Sequence, residues 1–224
     1  MKKTFILFNL NNSNKNNLIN VNTLPEKLNS VLIGVMLGDG SIYRSSLTSN
    51  ARFEMSFGQK YKSFAESLGI LFNDYMKNPV KTLEIKGKNK VYQNYRLKTI
   101  SLSIFKQYHE MFYKYDISLQ KFVKFVPENI LEFLNPIVLS YLIMTDGNFD
   151  KSRNRVRIYT NSYKKEEVQI LANAINIKFG IYVGVLHDRT NQWILTIGAK
   201  QLDLLRNIVS QHFHSSMLYR IGIN

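Results

Sequence analysis

The sequence contains no cysteine. That excludes a disulfide scaffold and any zinc site built on thiolates, and it fits a reducing interior compartment. No apolar run reaches the roughly 18–20 residues that a membrane span needs. The longest apolar-rich stretch, Val31 to Leu37, is broken by Gly34 and ends in Gly38–Asp39–Gly40. The first residues, Met1 to Leu10, faintly resemble a signal peptide but are short and lack a small-residue cleavage site. Proline is scarce, with 4 residues in 224, and no Gly/Ser-rich linker divides the chain. Acidic residues are scarce too. Asp and Glu number 16 against 30 Lys and Arg, a net charge of +14 with pI about 9.8. An excess of that size points to a polyanionic partner.

What is present is organised at long range. Residues 8–22 are Asn-rich and of low complexity, and residues 1–23 read as a flexible lead-in. After them the chain repeats itself. Leu24 to Gly38 carries Pro25 in its first turn and runs as an apolar helix into Gly38–Asp39–Gly40. Asn135–Pro136 gives the same start, and Ile137 to Thr145 runs into Asp146–Gly147. The halves are read as 24–130 and 131–224.

Strand signals follow each helix. Phe53, Met55 and Phe57 alternate with Arg52, Glu54 and Ser56, and Leu83 and Ile85 are the apolar members of Thr82 to Lys86. Lys90, Tyr92, Asn94, Arg96 and Lys98 share one side of a strand. Later, Arg153, Arg155, Arg157 and Tyr159 oppose Val156 and Ile158, and Ile181–Leu186 and Trp193–Ile197 flank a turn at Arg189–Thr190–Asn191. A period of two with one apolar face marks antiparallel sheets covered on one side only. Lys62–Met76, Ile104–Tyr115, Lys164–Phe179 and Gln201–Phe213 carry the roughly 3.6-residue apolar stripe of helices. Each half therefore reads α-β-β-α-β-β-α, an α+β class.

The open sheet faces are basic. Arg44, Arg52, Lys86, Lys90, Arg96 and Lys98 are assigned to the first, with Tyr92 interleaved. Arg153, Arg155, Arg157, Tyr159 and Arg189 are assigned to the second. Such side chains neutralise phosphates, and arginine also takes guanine O6 and N7 bidentately. The two Asp-Gly sites are the sharper signal. A carboxylate at the C-terminal end of an apolar helix is costly to bury and opposed by the helix dipole, and a bound divalent cation offsets both costs. If the two helices pack side by side, with Gly34 and Gly38 allowing close approach, Asp39 and Asp146 meet as a hard-oxygen site suited to Mg²⁺. The histidines, His109, His187, His212 and His214, share no metal-ligand spacing, and Trp193 reads as core rather than base-stacking.

Leu32–Ile33–Gly34–Val35–Met36–Leu37–Gly38–Asp39–Gly40 resembles the first LAGLIDADG motif, and Leu139–Ser140–Tyr141–Leu142–Ile143–Met144–Thr145–Asp146–Gly147 resembles the second. The likeness is to single-chain, two-motif LAGLIDADG homing endonucleases of the omega type, encoded by yeast mitochondrial introns, and it covers residues 26–224. It implies two pseudo-symmetric αββαββα halves forming a saddle on double-stranded DNA. It also implies a monomer cutting both strands of a long asymmetric target with Mg²⁺, for which Ca²⁺ or Mn²⁺ can substitute in the site, and the mitochondrial matrix as its place. It implies that Asp39 and Asp146 bind metal with help from the carbonyls of Gly38 and Thr145. Lys124 and Arg220 would stand near the attacking water, with Gln59 and Asn161 as polar partners. Tyr141 departs from the motif's glycine, and Arg220 stands where lysine is expected. Two other readings share the same sequence features: an RNA maturase bound to intron RNA, and a non-catalytic DNA-binding regulator.

Overall fold

A computed structural model describes residues 23–86 and 91–223. The Asn-rich lead-in and Lys90 lie outside the described residues. The first half opens with α1 (Glu26–Leu37), followed by β1 (Ser41–Arg44), β2 (Ala51–Gly58) and α2 (Lys62–Leu71). Then come β3 (Lys81–Lys86), β4 (Val91–Lys98) and α3 (Ile104–Phe112). A hairpin, β5 (Tyr113–Asp116) and β6 (Lys121–Lys124), and the short α4 (Ile130–Phe133) lead into the second half. There α5 (Pro136–Asp146) precedes β7 (Gly147–Asp150), β8 (Arg155–Ile158), α6 (Lys165–Phe179), β9 (Gly184–Arg189), β10 (Gln192–Ile197) and α7 (Leu202–Val209). The last turn is a 3₁₀ segment, Ser215–Ile221. The two large sheets have the same order, β1-β2-β4-β3 and β7-β8-β10-β9, and every pairing is antiparallel.

The apolar alternation seen in the sequence sets which face is covered. Phe53, Met55 and Phe57 of β2 are buried with Tyr95 and Leu97 of β4, and Val156 and Ile158 of β8 with Leu195 and Ile197 of β10. Helices α2, α3 and α6 pack on those faces. Each fully buried Leu, Ile or Phe contributes about 1.5–3 kcal/mol. Trp193 packs on the covered side against the core.

Helices α1 and α5 are apolar on every side, as suits helices buried all round. They pack against each other along the middle of the molecule, so that one core runs through both halves. Asn135 caps α5 through its side-chain oxygen, which accepts from Val138 N at 3.0 Å, while its amide donates to Ser30 Oγ on α1 at 2.8 Å. The close approach depends on glycine. A Cβ on Gly34 would stand 2.7 Å from Tyr141 Cβ and 2.7 Å from the Val138 carbonyl, and one on Gly38 would collide with Thr145 Oγ1 and Asp146 Oδ2. Tyr141, the residue that replaces the motif's glycine, thus lies opposite Gly34, and one empty position accommodates one large one.

Four sequence expectations change. The helix expected through Tyr115 stops at Phe112. From Tyr113 the chain alternates as a strand, and Asp116 Oδ1 accepts from the Ser118 and Leu119 amides to build the hairpin turn, completed by Gln120 at φ +50°. The stripe through Met76 ends at Leu71 and continues as a 3₁₀ turn, and that through Phe213 is helical only to Val209. Leu83 and Ile85 pair with Asn94 and Tyr92, so they sit on the open face and are partly exposed. Strand β3 extends to the sheet edge, where no helix demands an apolar row.

Candidate active site and nucleic-acid interface

The C-terminal ends of α1 and α5 arrive side by side. In the first, Gly40 N–H donates to the Val35 carbonyl at 2.7 Å, turning the chain sharply after Leu37 and leaving Asp39 at the surface. In the second, Asp146 is the last helical residue and Gly147 N–H closes on the Ile143 carbonyl. Asp146 is half-buried, and its Oδ2 has no hydrogen-bond partner among the described residues.

Two cations close over the carboxylates in matching ways. Lys124, from β6, donates its Nζ to the carbonyls of Gly38 and Gly40, the latter at 2.8 Å. Arg220, from the terminal 3₁₀ segment, donates to the carbonyl of Gly147 and, at 2.9 Å, to the hydroxyl of Tyr61 in the opposite half. In return, Tyr163 of the second half donates its hydroxyl to the Leu37 carbonyl at 3.0 Å.

Electrostatics follow from this crowding. Burial pushes Asp146 up to about 7, the charge of Asp39 pushes it the same way, and Lys124 and Arg220 pull against both. Asp39 is open to solvent but ringed by protein, and the lost hydration raises it as well, opposed by Lys124 and then Arg220. Burial brings Lys124 down to about 8 despite the attraction of Asp146 and Asp39. A buried, unpartnered carboxylate oxygen beside a second carboxylate is a costly arrangement for the protein alone. A divalent cation removes the cost, so the residues fit one. Among the described residues no three His, Asp or Glu side chains converge. Two carboxylates would therefore share a hard cation with backbone carbonyls, water and substrate phosphate, the mixed set that Mg²⁺ favours.

Gln59 follows β2 and Asn161 follows β8. Gln59 is exposed at the start of a 3₁₀ turn. Asn161 donates to Asp188 and to Gln192, at 3.1 and 2.9 Å. Each lies two residues before a tyrosine that crosses between the halves, Tyr61 and Tyr163. These tyrosines were not singled out from the sequence, although the repeat Gln59–Lys60–Tyr61–Lys62 and Asn161–Ser162–Tyr163–Lys164 carries them.

The open faces flank the site. On the first, the register places Arg52, Tyr92, Arg96 and Lys98 together, with Arg52 lying 4.0 Å over the ring of Tyr43. Two assigned residues fall elsewhere. Arg44 pairs with Ala51 on the helix side, where it braces the β1–β2 loop and meets Glu110 at 3.2 Å. Lys86 pairs with Val91, on the side of Tyr95. Both are strand-end residues, whose side an alternation counted from mid-strand easily misses. Lys77 and Lys81, unnoticed in the sequence, join Arg52, Arg96 and Lys98 around a groove of about 530 Å³. On the second face Arg155 and Arg157 lie in β8 and Tyr159 follows it. Arg153 belongs to the turn before the strand, and Arg189 is exposed at the β9 turn. Three of the four histidines pack against rings: His109 stacks on Tyr113 at 4.9 Å, His187 meets Trp193, and His214 meets Phe64.

A profile of the LAGLIDADG DNA endonuclease family matches residues 29–205. The chain belongs to that family. It is a DNA endonuclease of the LAGLIDADG homing class, with that class's αββαββα architecture in two halves. It is 30% identical over 209 residues to a probable intron-encoded endonuclease 1 of Wickerhamomyces canadensis, covering 90% of this chain and 87% of the relative. It is 25% identical to the cytochrome b mRNA maturase bI2 of Saccharomyces cerevisiae, of which it spans 54%. The fold matches that of the homing endonuclease I-WcaI bound to its DNA recognition sequence, with a TM-score of 0.81, 24% identity, and coverage of 90% of this chain and 88% of that one. A second match is I-DmoI in complex with DNA and Mn, with a TM-score of 0.52, 19% identity, and coverage of 84% of this chain and 99% of that one. Among the described residues no helix is long and apolar enough to cross a membrane.

Proposed function

We propose that this LAGLIDADG endonuclease acts as a monomer that makes Mg²⁺-dependent double-strand breaks in a long, asymmetric DNA site. The observation that carries the reading is the meeting of Asp39 and Asp146 at the ends of two packed helices, beneath Lys124 and Arg220 and between two basic open faces. Asp39 and Asp146 hold the metal, with the carbonyls of Gly38 and Thr145 completing the oxygen set. Mn²⁺ supports the same role, and Ca²⁺ fills the site without turnover. Bound there, the metal supplies stabilisation of the attacking and leaving oxygens of a phosphodiester displacement. The chain's own part is to place groups around it. Lys124 orients water or stabilises developing charge. Arg220 can do the same but cannot act as a base, because its guanidinium keeps its proton. Gln59 and Asn161, each beside a tyrosine that bridges the halves, line the approach as polar partners.

Binding falls to the open faces. Arg52, Tyr92, Arg96 and Lys98 engage one half of the site, and Arg153, Arg155, Arg157, Tyr159 and Arg189 the other. Both motifs lie in one chain, so the pseudo-twofold needs no second subunit, and because the two faces differ the site is asymmetric. The protein works in an organelle, the mitochondrial matrix, a reading that its likeness to intron-encoded proteins supports. The test is selection of cleaved sites from a randomised DNA library in Mg²⁺. A single asymmetric consensus is the expected result, and binding without nicking in any divalent metal would sink the reading. The likeness to a maturase favours intron RNA as a second ligand for the same basic surface. Loss of intron splicing on deleting this chain, in cells with an intact target, would support that role.

A further inference from the structure

A surface built to meet a polyanion has little use for carboxylates, and the chain has few, yet Glu54 and Asp150 stand on the open faces, one in each half. Glu54 lies on β2 with its side chain only 14% exposed, and Asp150 ends β7 at 12%. Glu54 Oε1 accepts from Arg52 Nε, and its Oε2 accepts from Arg96 Nη2 on the neighbouring strand. Asp150 Oδ2 meets Arg155 Nε at 3.1 Å and Arg157 Nη2 at 2.9 Å, both on β8, and its Oδ1 accepts from Ser152 Oγ at 2.7 Å and the Arg153 amide at 3.3 Å. In each half one carboxylate holds two arginines.

We propose that Glu54 and Asp150 are specificity-setting positioning residues, each fixing a pair of arginines so that their free donors read guanines instead of settling on phosphates. The proposal rests on the open faces being the DNA-binding surface. Physically, the carboxylates repel the backbone and cancel positive charge, so they weaken sequence-independent attraction. What they give in exchange is direction. Guanidinium is a rigid planar fork of five donors, and an arginine bound along one edge can offer only the rest, in a set orientation. Unclamped, its long side chain would reach the nearest phosphate of any sequence. The carboxylates act through the arginines and do not touch bases themselves, because both oxygens of each are already occupied by protein donors. Trading affinity for discrimination in this way is a recognised route to specificity.

The geometry also says where each clamp acts. Glu54 ties β2 to β4 and Asp150 ties β7 to β8, so each governs base pairs in its own half of the site. The experiment compares the cleaved-site profiles of the full-length enzyme, Glu54→Gln and Asp150→Asn in Mg²⁺. Each variant should still cut the wild-type site within a few-fold. Discrimination should relax by about 10- to 100-fold at one or two base pairs of its own half only. Binding to random DNA should tighten, with a salt dependence steeper by about one ion per arginine released. In the Arg96→Ala background, Glu54→Gln should add no further relaxation. Arg96→Lys, which leaves Glu54 in place, should relax the same base pairs and serves as the test if Glu54→Gln does not fold. Profiles that stay unchanged, or that relax equally in both halves, overturn the proposal. If Arg96→Ala and Arg155→Ala leave target affinity unchanged, the failure lies instead in the open faces as the DNA-binding surface.

Discussion

The two halves agree where their carboxylates must meet and differ where they face DNA. Both lay an apolar helix on the midline, both end it in Asp-Gly, and both bring a cation to the carbonyl of the glycine after the aspartate: Lys124 to Gly40 and Arg220 to Gly147. Both send a tyrosine across to the other side. Yet the paired positions Tyr43/Arg52 of β1–β2 correspond to Asp150/Arg155 of β7–β8, and Ser41/Glu54 to Asn148/Arg157. The acid has moved from the inner strand to the edge strand. Shared geometry is kept where two parts must fit one reacting centre, and side-chain identity is free to diverge where each half meets its own stretch of DNA.

The largest expected effect tests the shared part. Asp39→Asn and Asp146→Asn keep side-chain shape and remove the charge that holds a hard cation. Each should lower double-strand cutting by at least about 1000-fold, measured on a plasmid bearing the selected site, with target affinity retained. Equal losses would show one shared centre despite the different surroundings of the two residues. If one variant cut normally, its half would not hold a needed metal.

Next come the two cations. Lys124→Ala and Arg220→Ala should each slow cutting by about 100-fold without abolishing it. They should part company in stability. Arg220 is buried, and its removal leaves the Gly147 carbonyl without its donor, a loss of about 1–3 kcal/mol visible as a lower Tm. Lys124 is only partly buried and carries a charge that its burial disfavours, so its removal should cost less. Similar Tm losses would break the distinction.

The helix contact is asymmetric by one side chain. Gly34→Ala should cost about 1–3 kcal/mol by pressing on Tyr141 and Val138. Tyr141→Gly removes the Cβ that the new methyl would meet and so relieves part of that pressure, and the double variant should be less destabilised than the sum of the singles in chemical denaturation. Strict additivity would mean that the two residues do not share the space.

The smallest effect is in pH. Asp146, raised to about 7, keeps a proton in the folded protein that the unfolded chain sheds from roughly pH 4 upward. Its contribution to stability is therefore present at low pH and lost as pH rises toward 7. In protein stripped of divalent ions, Tm should fall across that window, and Asp146→Asn should flatten the fall. Metal competes with the same proton, so apparent affinity should weaken by up to about tenfold per unit below pH 7, as a calorimetric titration would read. A metal affinity independent of pH would contradict the assignment.

Much of this was legible in the sequence because it is written in repeats. Two apolar helices ending in Asp-Gly, and alternation with one apolar face, fix the helix pair, the sheets and the carboxylate pair. Lys124 and Arg220 came from the family resemblance alone, since nothing local marks them. The β5–β6 hairpin was hidden because Ile104 to Tyr115 keeps helical spacing past Phe112, and the strand pairing of Tyr113–Asp116 with Lys121–Lys124 that replaces the helix is not written in that spacing. The sides taken by Arg44, Lys86, Leu83 and Ile85 depend on sheet register and on where helical cover stops. The clamps at Glu54 and Asp150 join residues on different strands, which no single-strand pattern displays.

The central claim is that Asp39 and Asp146 together hold the divalent metal at the DNA. A crystal of the full chain on its selected target with Mn²⁺, measured for anomalous scattering, tests it most directly. Anomalous peaks within ligand distance of both carboxylates are the predicted result. Peaks at neither carboxylate, or only at surface sites away from the α1–α5 junction, would contradict it.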